Sequence, residues 1–293
     1  MKHFLLFLIF TLSIFAHDAL VSPQWLANNL HNNNIRIVEV SDEQNFELQH
    51  IKGAVHTSIS QWRIKNGTYL TIRSTKEIEE EIRKLGIDAD KHVVLYAPII
   101  TPKDYLKATY IYWALNYFGV TKVSVLDGGL NNWISQGFPT TQETNSVQKT
   151  DFHANIDSSK IANLDYVKSH LGKIPMLDAR PSDKYLGITP TATVKRDGHI
   201  AGAMSYSWNY SVTTDYILKS KKELNALFKN GYKLNKNKEL LVYCTGGLET
   251  SFNYFVLSGV LGYKQVRLYD ASMKQWGNLD NTPMNKYRYE TFE

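Results

Sequence analysis

Two tandem α/β domains, each a central parallel sheet flanked by helices on both faces, are predicted by three observations. The chain repeats an ordered set of short motifs once, at an interval of roughly 145 residues. Each copy alternates apolar runs of strand length with runs of helix length, the pattern of a sheet covered on both faces. The length of 293 residues also suits two domains of about 100–150 residues each.

In the first half, Ile35–Val40 reads as a strand and is followed by His50-Ile51-Lys52-Gly53-Ala54. Val93–Ala97 is an apolar run of buried-strand length, and 103–118 suits a helix. The half closes on Val123–Asp127, two glycines and Trp133. The second half repeats the order. Ile174–Asp178 matches the first strand, His199–Ala203 matches His50–Ala54, and Leu240–Cys244 matches Val93–Ala97. A helix over 250–261, a strand over Val266–Asp270 and Trp276 follow. The offsets are 149 residues at the histidines, 147 at Tyr96 and Tyr243, and 143 at the aspartates and tryptophans. Such a slow drift fits loop insertions and deletions. Two copies at this spacing are not a solenoid, whose periods run about 20–50 residues.

The expected boundaries are a leader over 1–16, a first domain over 17–138, a polar linker over 139–159 and a second domain over 160–293. The leader has a polar start, Lys2 and His3, then 12 nearly unbroken apolar residues from Phe4 to Phe15, with Ala16 suited to cleavage before His17. A run that short reads as a secretory signal rather than a membrane span. The expected location is therefore exported, in the periplasm or another extracytoplasmic space, with no membrane attachment after cleavage. The net charge of +5 is scattered, without a basic run, so nucleic acid is not an expected partner.

Cys244 is the only cysteine, so no internal disulfide can form. It ends a buried strand and is followed by Thr245, Gly246, Gly247, Leu248, Glu249 and Thr250, after which a helix begins. Ligands of parallel sheets bind beyond the carboxyl ends of the strands. The two glycines let the loop curl with its amides inward, making an anion cradle for the sulfur. A thiol so placed is expected to have a lowered pKa and to act as a nucleophile.

The tandem repeat, the His-Ile-x-Gly-Ala element, the strand-Cys-x-x-Gly loop and the Asp and Trp late in each half together resemble the tandem-domain rhodaneses, the thiosulfate and 3-mercaptopyruvate sulfurtransferases. The resemblance implies that Cys244 in the C-terminal domain takes sulfur from a small anionic donor, carries it as a persulfide and passes it to cyanide or a thiol, a protein thiol included. It implies a loop of amides over Thr245–Thr250 that holds the anionic sulfur, and no metal or organic cofactor. It also implies a silent N-terminal domain, since Ala97 stands where the cysteine would be and the loop Pro98–Pro102 lacks glycine.

The family's Asp-x-Arg-x-x-x-Arg element reads here Asp178-Ala179-Arg180-Pro181-Ser182-Asp183-Lys184. Arg180 and Lys184 are thus substrate-binding candidates, although lysine lacks the bidentate fork. Arg196, next to Lys195, is a third. Asp178 and Ser272 are expected to support the loop from behind. His50 and His199 occur in both halves and are read as structural, Asp127 and Asp270 as caps of strand-end loops, and Trp133 and Trp276 as core. Tyr287, Tyr289 and Phe292 suggest a docking tail. Thr245-Gly246 matches neither the basic pair of the thiosulfate enzymes nor the Gly-Ser of the mercaptopyruvate enzymes. Glu249 adds a negative charge that opposes a dianionic donor. Two other functions remain open at this point. One is a non-enzymatic exported sulfur carrier or protein-binding module. The other, a cysteine phosphatase or arsenate reductase on the same fold, needs a longer loop closed by an arginine. The sixth residue after Cys244 is Thr250, and no arginine lies between Thr245 and Tyr263.

Overall fold

The structure, a computed structural model, describes residues 18–292. The leader expected over 1–16 lies outside the described residues. The first half contributes β1 (Leu20–Val21), β2 (Ile35–Val40), β3 (Val55–Thr57), the hairpin strands β4 (Arg63–Asn66) and β5 (Tyr69–Ile72), β6 (His92–Tyr96) and β7 (Val123–Leu126). The second contributes β8 (Met176–Asp178), β9 (His199–Ile200), β10 (Met204–Ser205), β11 (Glu239–Tyr243), β12 (Gln265–Leu268) and β13 (Met284–Asn285).

The two sheets have matching topologies. The first runs β1-β7-β6-β2-β3 and the second β10-β8-β11-β12, and every pairing in both is parallel. A parallel bridge from Ile161 to Leu268 stands where β1 pairs with β7. The antiparallel pair β13–β9 is matched by a bridge from His50 to Thr141. The repeat read in the motifs is therefore a repeat of strand order. His50 and His199 serve it identically. Each ring is fully buried, binds a backbone carbonyl (Phe46 at 2.8 Å, Tyr185 at 2.9 Å) and stacks on an aromatic neighbour. Trp133 and Trp276 are likewise buried, with indole N–H groups donated to Pro139 and Pro283.

Each central strand, β6 or β11, feeds a helix, and these two helices pack against one another between the domains. Helix Pro102–Tyr117 is buried on nearly all sides because one face lies on its own sheet and another on the second domain. Across the contact, Thr109 and Ser251 share a hydroxyl hydrogen bond of 3.1 Å. Tyr105 meets Phe252 at 5.5 Å and Tyr112 meets Phe255 edge-on at 5.0 Å between ring centroids. One hydrophobic cluster runs through both domains, so the halves share a core. Burying a large apolar side chain stabilises by about 1.5–3 kcal/mol, so these four rings add substantially to the domain contact. The polar segment after 139 has few regular elements but is tied to the first domain, for instance by Arg83 to the Phe152 carbonyl at 2.8 Å and by the Asp157 amide to Tyr117 at 2.9 Å. No helix among the described residues is long and apolar enough to cross a membrane.

Candidate active site

Cys244 stands one residue beyond β11, at the carboxyl end of a central strand. Its Sγ accepts hydrogen bonds from the amides of Gly246 at 3.3 Å and Gly247 at 3.1 Å. Gly247 has φ +97°, a conformation that turns its amide inward and that L side chains rarely adopt. Helix Leu248–Tyr254 then starts, with Leu248 packed on the core and Thr250 fully buried behind the thiol.

The loop is braced from β12. The Ser272 hydroxyl accepts the Cys244 amide at 3.1 Å and donates to the Tyr269 carbonyl at 2.7 Å. The Met273 and Lys274 amides bind the carbonyls of Cys244 and Thr245. Ser272 holds φ +52° where the silent half has Gly129 at +57°. A serine tolerates this region at a cost of about 1–2 kcal/mol, and here its hydroxyl bonds on both sides of the strand end offset that cost.

The electrostatics correct one expectation. The loop sequence predicts an acidic thiol. Instead, burial pushes Cys244 up to about 11, and the charge of Glu249 adds to the shift against the pull of Thr250 and the Gly246 amide. Only 1% of Cys244 is exposed, so the thiolate lacks water, and two amides do not replace it. Glu249 keeps some exposed surface, but its carboxyl is enclosed within hydrogen-bonding reach of the thiol. Burial raises its pKa, as does nearby Asp178, while Cys244 and Arg180 pull the other way. At rest the thiol is thus protonated, with the Glu249 side chain beside it. The amides favour whatever form of the sulfur carries negative charge, which makes them selective for the anion formed during reaction.

The three expected substrate cations fare differently. Arg180 is buried and chelated by Asp178, with Nε bonds of 2.9 and 3.1 Å, and its Nη2 also reaches the Gly198 carbonyl at 2.7 Å. It presents no open fork, because the fork is already filled by Asp178, yet its charge acts on both Cys244 and Glu249. Lys184 donates to the Pro190 carbonyl within its own loop. Arg196 is a correction: its guanidinium clasps the carbonyls of Trp276, Leu279 and Thr282 and so fastens the C-terminal segment rather than facing the sulfur. The Ser272 hydroxyl meets the loop at the Cys244 amide, and Asp178 pairs with Arg180.

Three residues of the site carry no local sequence signal. Arg63, from β4 of the other domain, donates to the Gly246 carbonyl at 2.6 Å. Asp270, read as a loop cap, instead joins the domains. It lies 3.4 Å from Arg63 and accepts the Ile72 amide at 2.7 Å and the Tyr110 hydroxyl at 2.8 Å. Its repeat partner Asp127 accepts the Leu218 amide from the second domain at 2.9 Å, so the correction applies to both. Lys274 lays its aliphatic stem along Gly246. Only distance in three dimensions connects these residues to Cys244. The repeat offered one clue, since Asp127 and Asp270 recur at strand ends.

In the silent half, Ala97 takes the place of Cys244 and its carbonyl accepts the Leu130 amide, as that of Cys244 accepts Met273. The loop after Ala97 is tied by Asn131, which accepts the Ile99 amide at 2.7 Å and donates to the Ile99 carbonyl at 3.1 Å. Its amide is therefore satisfied by a side chain and faces no anion.

The fold and site define a duplicated α/β protein whose second copy alone presents a thiol in a loop of amides. The rhodanese-like domain pattern matches residues 22–136 and 163–279, and the chain belongs to that family. A Haloferax volcanii protein provisionally named a thiosulfate sulfurtransferase is 30% identical over 287 residues, covering 94% of this chain and 98% of its own. The sulfur carrier protein TtuD of Thermus thermophilus is 32% identical over 288 residues, covering 93% and 98%. The crystal structure of YnjE superposes with a TM-score of 0.82 at 22% identity, over 92% of this chain and 69% of that one, a likeness of fold.

Proposed function

We propose that the protein is a sulfurtransferase that moves sulfane sulfur from a small anionic donor, such as thiosulfate or 3-mercaptopyruvate, to cyanide or a thiol through a persulfide on Cys244. The observation that carries this reading is the pair of amides on Sγ at 3.3 and 3.1 Å at the end of a central strand. In the first step Cys244 loses its proton, its sulfur bonds the outer sulfur of the donor, and the donor's bond to that sulfur breaks. The bonding pair leaves with the remainder of the donor. In the second step the acceptor bonds the outer sulfur and the pair returns to Sγ. No external oxidant or reductant enters. Mass measurement of the protein after incubation with thiosulfate tests the reading: one added sulfur atom, about 32 Da, on Cys244 is expected, and its removal by cyanide. Unmodified Cys244 with every donor would refute it.

A second reading, a sulfur carrier whose acceptor is a protein thiol, is supported by the kinship with TtuD. Loading without turnover on cyanide or small thiols would select it. The phosphatase reading has no support, since no arginine closes the loop.

Glu249 sets the donor preference in this scheme. Glu249→Gln is expected to lower the apparent KM for thiosulfate a few-fold and to bring the thiol pKa down from about 11, because a like charge beside the sulfur is removed. The change in KM is modest because Arg180 already offsets part of the charge. An unchanged KM together with an unchanged pH profile of alkylation would assign Glu249 a different role.

We also propose export, supported by the polar start and the short apolar run before His17. The mature N-terminus is expected close to His17. Met1 retained on a membrane-bound chain would refute cleavage.

A further inference from the structure

We propose that Arg63, contributed by the domain without a cysteine, is a positioning residue for the sulfur: it grips the Gly246 carbonyl and thereby orients and polarises the peptide whose N–H faces Sγ. The inference rests on the sulfurtransferase reading and adds a working part to it. The Gly246 carbonyl and the Gly247 amide belong to one peptide group. Arg63 Nη2 donates to that carbonyl at 2.6 Å, and the amide donates to Cys244 Sγ at 3.1 Å. A cation on the oxygen of an amide strengthens its N–H as a donor, the cooperativity of hydrogen-bond chains. Positive charge thus reaches the sulfur through one peptide, without touching the donor molecule.

The surroundings hold Arg63 for this task. Its side chain is 5% exposed, and the same Nη2 also binds the Leu70 carbonyl at 2.8 Å and faces Asp270 at 3.4 Å. The guanidinium lies over the Tyr110 ring, 4.7 Å from its centre. Its Nε is buried without a partner, so the group is seated for what Nη2 contacts rather than for full satisfaction of its own donors. Other charges around the loop are the pair Arg180 and Asp178, Glu249, and Lys274 along Gly246.

The silent half supplies the contrast. Ile99 lies two residues after Ala97, as Gly246 lies two after Cys244. The Ile99 carbonyl is held by Asn131, a neutral carboxamide of the same domain. The guanidinium from across the interface occurs only where the loop carries a thiol. Here the N-terminal domain acts on chemistry that it does not itself perform.

The test compares Arg63→Gln and Arg63→Lys with wild type in the full mature chain. Two rates are followed against pH: alkylation of Cys244 by neutral iodoacetamide, and single-turnover sulfur loading from thiosulfate. Arg63→Gln is expected to slow both about tenfold at pH 8 and to move the alkylation profile to higher pH, with the donor KM within about twofold. Arg63→Lys, which keeps the charge and the reach to the carbonyl, is expected to recover most of the loss. Unchanged rates in folded Arg63→Gln would overturn the proposal. So would equal loss in both variants with only a lower melting temperature, the mark of a strut. If Arg63→Gln fails to fold, Arg63→Met is compared with Arg63→Lys: a profile moved to higher pH in Arg63→Met and restored in Arg63→Lys supports the proposal, and equal profiles oppose it. The alkylation arm needs no sulfur donor, so its outcome is separate from that of the sulfurtransferase reading. Wild type that never loads sulfur sinks the latter alone.

Discussion

Cys244→Ser is expected to stay folded and to lose sulfur transfer to the uncatalysed background. Serine is close in size, and its oxygen can accept the same two amides, from Gly246 and Gly247, that now meet Sγ. Stability should shift by no more than about 1–2 kcal/mol. An alcohol cannot carry sulfur in a persulfide relay, and two amides do not bring its pKa near neutrality. The same pair of proteins tests the electrostatics. With the thiol at about 11, wild-type alkylation by iodoacetamide should rise roughly tenfold per pH unit from 7 towards 10, because the ionised fraction grows as pH approaches the pKa from below. A plateau already reached at pH 7 would restore the acidic thiol expected from the loop sequence. Transfer retained by the serine variant would make Cys244 a structural residue.

That expectation shows where sequence reading stops. The strand-Cys-Thr-Gly-Gly pattern correctly places the sulfur at a strand end with amides around it, because glycine spacing and strand length are local properties. The thiol pKa depends on how much water the rest of the molecule excludes, and exclusion comes from residues far away in sequence. Glu249 was visible as a nearby negative charge, and it acts in that direction. The burial of the thiol, 1% exposed, was not visible.

The fold was more legible than the site. Both sheets follow from apolar runs repeated at slowly drifting offsets, and the family's motifs occur in order in each half. The helix after β6 begins at Pro102 and that after β11 at Leu248, within two residues of the pattern-based expectation. The three cations named from the motif have one thing in common: each already has a partner close by. Arg180 and Arg196 each found a partner inside the second domain, Asp178 and a row of carbonyls respectively, while Lys184 turned to Pro190. A motif gives the charge near a strand end but not what neutralises it. Asp127 and Asp270 illustrate the converse: capping a loop and joining two domains look the same in sequence, and only the Leu218 and Ile72 amides distinguish them.

The two glycines after Cys244 should respond very differently to the same methyl group. At Gly247, φ is +97°, and a Cβ would lie 2.3 Å from Asp270 Oδ1 and 3.0 Å from Arg63 Nη2. The backbone term costs about 1–2 kcal/mol, and the clash falls on a carboxylate and a guanidinium that are both buried and already committed to the domain contact. Gly247→Ala is therefore expected to lose about 3 kcal/mol of stability in all, and to load sulfur roughly 100-fold more slowly because the amide that faces Sγ must move. At Gly246 the backbone is not in the left-handed region, and a Cβ would meet only the stem of Lys274, at 3.4 Å. That is ordinary contact with a flexible side chain, so Gly246→Ala should keep loading within a few-fold of wild type and a nearly unchanged melting temperature. Single-turnover loading and thermal unfolding of the two variants, measured side by side, check the difference. If Gly247→Ala loaded sulfur as fast as wild type, the amide cradle would not be what makes Cys244 a sulfur carrier.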